Sequence, residues 1–228
     1  MTFMPSPFPF PRAWEIPELT QINRLPARSF HFPFPGKHQA ATRNPDKSKW
    51  VKNLDGDWRF DYFESPEALE QGLIHSNPGT GSVIPVPGNW MCHGWDKPHY
   101  TNIQMPFENN PPLVPPENPT GLYRKVISIP KSWKGRRYVL HLGGIESVGV
   151  IYVDGKFVGW TTDSRLPAEF DLSPFLIPGE EHLLSIIVIR YSAFSYVEDQ
   201  DHWWMAGLYR SVKLISTDQV WFEDVFAK

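Results

Sequence analysis

Leu54-Asp-Gly-Asp-Trp-Arg-Phe-Asp-Tyr-Phe63 sets Trp58, Phe60 and Tyr62 against Asp57, Arg59 and Asp61 in strict alternation. Successive side chains of a strand point to opposite faces, so this stretch predicts a β-strand with one face in a core and the other toward water. Further strands are expected near Val83–Val86 and over Gly121–Ile129, Arg136–Leu142, Val148–Val153 and Tyr209–Ile215. Leu183-Leu-Ser-Ile-Ile-Val-Ile-Arg-Tyr191 is nearly continuous in apolar and β-branched residues, which suits a central strand buried on both faces. Asp154-Gly155, between Tyr152-Val153 and Lys156-Phe157-Val158, has the composition of a two-residue hairpin turn. Short strands separated by turn chemistry indicate an all-β chain folded as a two-sheet sandwich.

The connections are less regular. Residues 1–45 are proline-rich with little periodicity and read as an extended arm laid on the domain through Trp14, Phe30, Phe32 and Phe34. Residues 46–217 hold the sandwich. Ser65-Pro66-Glu67 has the chemistry of a helix start, so one short helix is expected over Ala68 to Leu73, stopped by Gly72 and Asn77-Pro78-Gly79. Residues 87–121 form a long proline-crowded loop region, which inside a compact domain is functional or packed against a neighbour.

Composition narrows the class. A chain of 228 residues buries a core without staples, and its single cysteine, Cys92, excludes an internal disulfide. Proline, at 24 residues, is about twice its ordinary share of ~5%, which disfavours long helices, while a hydrophobic fraction of 41% argues for a packed domain. A net charge of -3 with mixed signs gives no reason to expect nucleic acid or an anionic membrane. No run approaches the ~20 apolar residues of a membrane span, and the start lacks the pattern of a signal peptide. The expected compartment is cytoplasmic.

Chemistry concentrates in Tyr196-Val-Glu-Asp-Gln-Asp-His-Trp-Trp-Met205. Glu198, Asp199 and Asp201 can accept from hydroxyls or ligate a hard cation, and Trp203 and Trp204 offer broad apolar faces, a pairing suited to sugars. The plainer reading makes the acids solvated or capping groups and the tryptophans core. No phosphate-cradling glycine motif, His-Glu-x-x-His or Cys-x-x-Cys occurs, so nucleotide and zinc chemistry have no support. His93 and His99 match no ligand spacing and read as loop hydrogen-bonding residues, and Cys92 reads as a packed thiol rather than a nucleophile.

A set of short blocks then carries a resemblance. These are Asn23-Arg-Leu25, Leu54–Phe60, Val86-Pro-Gly-Asn-Trp90 with His93-Gly-Trp-Asp96, Tyr100-Thr-Asn102, Asn110-Pro-Pro-Leu-Val-Pro115, Glu117-Asn-Pro-Thr-Gly121, Asp163–Leu172, and Glu198-Asp-Gln-Asp201 with Met205-Ala-Gly207. In this order, from about residue 20 onward, they resemble the N-terminal domain of bacterial β-galactosidases in glycoside hydrolase family 2.

The resemblance implies a jelly-roll sugar-binding domain, followed in the family by an immunoglobulin-like domain and a (β/α)₈ barrel with two catalytic glutamates. A barrel needs ~250 residues, so both cannot fit in this chain. Nor is there an Asn-Glu dipeptide, which the family's acid/base motif requires. The expectation is therefore a domain without catalytic residues of its own, belonging to a retaining enzyme that cleaves terminal β-D-galactosides, with 218–228 starting the next domain.

By the same resemblance Asn110 and Asp201 contact the β-galactoside, and Asp201 also holds sodium in a site shared with other domains. Magnesium in the parent would take its ligands from outside this chain, and the parent would be a homo-oligomer. Where the family commonly has methionine and arginine around the tryptophan after Asp201, this chain has His202 and Trp204, so the subsite shape there does not carry over. Asp163, Arg165 and Glu169 are expected to pair with one another and pin a loop. The competing class is an autonomous carbohydrate-binding module or scaffold.

Overall fold

A computed structural model describes residues 6–228 apart from 77, 78, 80, 102, 103, 199 and 200. Along the chain the strands are β1 (Gln21–Ile22), β2 (Val51–Asn53), β3 (Gly56–Phe63), β4 (Ser82–Val86), β5 (His99–Tyr100), β6 (Thr120–Ser128) and β7 (Arg137–Leu142). There follow β8 (Val148–Val153), β9 (Lys156–Thr161), β10 (Ala168–Asp171), β11 (Glu181–Ile189), β12 (Trp203–Trp204) and β13 (Val212–Thr217). Seven strands form one antiparallel sheet in the order β1-β9-β8-β11-β6-β3-β4, and four form a second in the order β10-β7-β13-β2. β5 and β12 make a separate ribbon. The fold is the jelly-roll sandwich expected from the sequence.

Strand β11 is the middle strand of the larger sheet and is buried on both faces, as its apolar run requires. Its Leu184, Ile186 and Val188 join Trp58, Phe60, Leu140 and Leu214 in the core between the sheets. Its Ile187 and Ile189 face the other way, into a second core with Trp14, Trp160, Tyr191 and Trp204. That second core explains the arm and the long loop: they cover the outer face of the seven-stranded sheet.

The arm is more structured than its sequence suggested. Its β1 extends the sheet beside β9, the Trp160 indole donates to Leu19 O at 3.2 Å, and Asn23 Nδ2 donates to Val158 O at 2.8 Å. Farther along it crosses the smaller sheet, where the Phe30 ring lies 4.9 Å from that of His141, and then forms a short helix, α1 (Lys37–Ala41). At the β8–β9 hairpin, Asp154 and Gly155 both take positive φ, 49° and 73°, the backbone that the sequence pair was selected for.

Several expectations needed correction. Instead of a helix over Ala68 to Leu73, two 3₁₀ turns span Pro66–Ala68 and Gln71–Ile74, with Leu69 and Glu70 extended between them. Ser65 makes no capping bond, and burying both Leu69 and Ile74 in the outer core outweighs the weak drive to a one-turn helix. Gly72 lies inside the second turn, and the Asn77-Pro78 stop falls outside the described residues. The last strand starts at Val212 rather than Tyr209, and the two residues before Ser211 reach the loop after β9 instead: the Tyr209 hydroxyl donates to Ser164 O, and Arg210 Nη1 to Arg165 O at 2.9 Å.

Cys92 is exposed, not packed, since the turn Trp90–His93 buries Trp90 and Met91 and turns the thiol outward. Residues 218–228 form no strand and rest on the arm, with Ser29 N donating to Asp224 Oδ1 at 2.7 Å and Val225 N to Ser29 Oγ at 2.9 Å. Among the described residues no helix is long and apolar enough to cross a membrane.

Candidate functional site

The long loop after β4 and the acidic segment after β11 meet at one end of the sandwich. Asn118 anchors the loop's far end: its buried side chain donates to Tyr191 O at 2.9 Å and accepts from Tyr191 N at 2.8 Å. Phe107 packs on Tyr191, Tyr196 and Trp204 at ring separations of 4.9, 5.6 and 6.5 Å. The Tyr196 hydroxyl donates to Leu113 O at 2.5 Å and accepts from the Asn110 backbone N–H at 3.3 Å. The arm secures the same loop, because Glu15 accepts from Val114 N at 2.9 Å while paired with Arg12 at 2.5 Å. Burial opposes ionisation of Glu15, but these two donors prevail and its pKa is lowered.

Asn110 is therefore held by its backbone while its side chain is exposed, on a recess of about 580 Å³ shared with Arg12, Glu15, Phe107 and Leu113. That volume lies within the ordinary range of ligand pockets, ~300–1,000 Å³. The Pro111–Pro112 bond that follows is cis.

Asp201 stands on the neighbouring segment, which Tyr196 begins. It does not line the recess, but its Oδ1 accepts from the Tyr100 hydroxyl at 2.6 Å, and that bond raises the Tyr100 pKa. The β5–β12 ribbon sets this contact, with Trp203 opposite Tyr100 and Trp204 opposite His99. Strand alternation then separates the two tryptophans: Trp203 is 56% exposed beside Tyr100, at a ring separation of 5.7 Å, whereas Trp204 is 7% exposed and packs on Tyr191. Trp203 is thus the one of the two tryptophans that keeps an apolar face open to solvent, while Tyr100 was not assigned a site role from the sequence. The only signal was the aromatic in the Tyr100-Thr-Asn102 block, of which Asn102 lies outside the described residues.

The other acids have different partners. Glu198 accepts from both the backbone N–H and the hydroxyl of Ser164, so it acts as a loop cap. Asp199 is outside the described residues. His202 and Trp204 line a small pocket of about 20 Å³ with Glu146, Arg165, Arg190 and Glu198, too small for any sugar. Inside it Arg165 grips Glu146 through two bonds of 3.1 Å, yet burial pushes the Glu146 pKa up. Arg190, nearly fully buried, pairs with Asp96.

Among the described residues the charged side chains of Asp163, Arg165 and Glu169 form no ion pair with one another, although Asp163 Oδ1 accepts from the Arg165 backbone N–H at 3.1 Å. Arg24 reaches Asp163 at 3.6 Å, Arg165 holds Glu146, and Glu169 takes Arg28 at 2.6 Å and His141 at 2.9 Å. The block is pinned as expected, but by the arm and β7, because Glu169 lies on β10 opposite His141. No three His, Cys, Asp or Glu side chains among the described residues could together hold a metal ion.

Residues 51–218 match the family described as glycosyl hydrolases family 2, sugar binding domain. The chain belongs to this family. It is 40% identical over 217 residues, 94% of its length, to a β-galactosidase of Yersinia pestis bv. Antiqua (strain Angola), and equally to one of Yersinia pseudotuberculosis serotype O:1b (strain IP 31758). The chain spans 20% of the length of these curated relatives. Among solved structures, a β-glucuronidase from an uncultured Clostridium sp. superposes with a TM-score of 0.55 at 23% identity, covering 74% of this chain and 29% of that one. A Lactobacillus rhamnosus β-glucuronidase gives 0.56 at 20% identity, covering 74% and 29%. These two bear on the fold alone and say nothing about substrate.

Proposed function

We propose that this family 2 domain belongs to a retaining β-galactosidase and forms one wall of its galactose subsite, with Asn110 and Asp201 as the sugar-contacting side chains. The observation that supports the reading is that Tyr196 binds the backbone of the Asn110 loop while Phe107 of the same loop packs on Tyr196 and Trp204, on either side of Asp201 in sequence. The identity to the Yersinia β-galactosidases supports the choice of substrate class.

The chemistry is suitable. Asn110 presents an exposed amide that can both donate to and accept from hydroxyls, and with Oδ1 of Asp201 engaged by Tyr100, no hydrogen bond from the described residues reaches Oδ2, which suits a hydroxyl or a hard cation. Sodium fits this donor in kind, since hard cations take oxygen ligands, and when bound it would orient a sugar hydroxyl; its other ligands, and those of magnesium, would come from the rest of the enzyme. Retaining hydrolysis needs two carboxyls ~5–5.5 Å apart across the glycosidic bond, which this reading assigns to a barrel beyond this chain. Exposed Val220, Phe222 and Phe226 suit cover by a following immunoglobulin-like domain that begins within 218–228. A homo-oligomeric parent follows from the family resemblance alone, and cytoplasmic residence accords with a single exposed thiol.

The test is kinetic. In the complete gene product, Asn110→Ala and Asp201→Ala should each lower kcat/KM for a chromogenic β-galactoside by about tenfold or more, as loss of a polar contact worth ~1.5–3 kcal/mol requires. Unaltered kinetics in both variants would remove the subsite assignment.

A further inference from the structure

We infer that Tyr100 is the positioning residue of Asp201, fixing which carboxylate oxygen meets the ligand; the inference rests on the proposed role of Asp201. An exposed loop aspartate samples several rotamers, and a ligand that needs one of them bears the entropy of selecting it. Asp201 is such a residue, exposed and without regular structure. The Tyr100 hydroxyl removes that freedom by donating to Oδ1 at 2.6 Å. No hydrogen bond reaches Oδ2 among the described residues, so one oxygen is immobilised and the other is left for a hydroxyl or cation.

Tyr100 can do this because it is itself held. Its backbone lies in the β5–β12 ribbon directly opposite Trp203, and its ring packs on the Trp203 ring at 5.7 Å. Trp203 follows Asp201 closely in sequence, so the ribbon ties the hydroxyl donor and the carboxylate acceptor into one unit. Both rings remain more than half exposed, at 54% and 56%, so the pair contributes little to the core, and a purely structural purpose is poorly served. A preorganised group of this sort gains its effect at the moment of binding.

The experiment uses Tyr100→Phe, which retains the ring against Trp203 and deletes only the hydroxyl, in the complete gene product. KM for a β-galactoside should rise about three- to tenfold with kcat changed less, as expected for one hydrogen bond lost on binding. The sodium concentration at half-saturation, followed by sodium NMR line broadening without substrate, should rise by a similar factor. In an Asp201→Ala background the same substitution should add less than about twofold, because its target is gone. The melting temperature of the 228-residue chain should move by less than about 2 °C, a limit set by the small worth of exposed contacts.

If Asp201→Ala impairs binding while Tyr100→Phe changes neither KM nor sodium affinity, the positioning role is wrong and the subsite reading stands. A Tyr100→Phe effect that persists undiminished without Asp201 also overturns it. Silence of Asp201→Ala itself removes both ideas together.

Discussion

In the acidic stretch before the tryptophan pair, neighbouring carboxylates with the same intrinsic chemistry take different roles according to their donors. Glu198 has both oxygens committed to Ser164, whereas Asp201 commits one oxygen to Tyr100 and faces solvent. Glu198→Ala leaves the N–H and hydroxyl of fully buried Ser164 without this acceptor, at a cost of about 1–3 kcal/mol. That corresponds to a fall of about 3–8 °C in the melting temperature of this chain by differential scanning calorimetry. Asp201→Ala should lower it by less than about 3 °C, since exposed pairs are worth at most ~1 kcal/mol. Equal losses would mean that Asp201 is a structural cap as well. The sequence showed that acids and aromatics were juxtaposed here, but the facing of each tryptophan depended on the pairing of β12 with β5, and a shift of one residue would have exposed Trp204 instead.

At the level of elements, the arm is joined to the sandwich by charged groups that titrate. On β10, burial opposes ionisation of Glu169, but the hydrogen bonds and charges of His141 and Arg28 prevail and hold its pKa to about 2. A carboxylate depressed on folding stabilises above its unfolded pKa and loses that contribution as pH falls through the folded value. Stability from this pair should therefore be full above about pH 5 and lost between about pH 4 and 2, by as much as ~3 kcal/mol, with Glu169→Gln removing most of that acid sensitivity in urea titrations. A variant whose acid profile matches the parent would show that Glu169 is not the group involved. At the other arm contact, Glu15→Ala strands the Val114 N–H and should speed hydrogen exchange across 107–116, while Glu15→Gln keeps an acceptor and should affect it less. Neither contact was legible beforehand, because sequence periodicity reports which face of an element is apolar and not which distant residue lies over it. The helix expected near Ala68 failed for a related reason: its capping chemistry was sound locally, and burial of Leu69 and Ile74 overrode it.

At the scale of the whole molecule, the isolated chain should recognise sugar poorly. Polar contacts from Asn110 and Asp201 supply at most ~3 kcal/mol each, while association alone costs about 4–15 kcal/mol. Titration with galactose or lactose by calorimetry should give a Kd weaker than about 1 mM, and the chain should not cleave a chromogenic β-galactoside. Micromolar binding would instead favour a self-sufficient carbohydrate-binding module. The sequence by itself determined the all-β class, the central double-sided strand β11, the hairpin at Asp154-Gly155 and the family blocks, because each is encoded in the period and turn chemistry of a few consecutive residues. Only the tertiary structure decided that the arm supplies a strand and part of an outer core, that Tyr196 binds the Asn110 loop, and that Tyr100 grips Asp201. Those contacts join residues far apart along the chain, and their partners are chosen by packing and strand register, which no local pattern encodes.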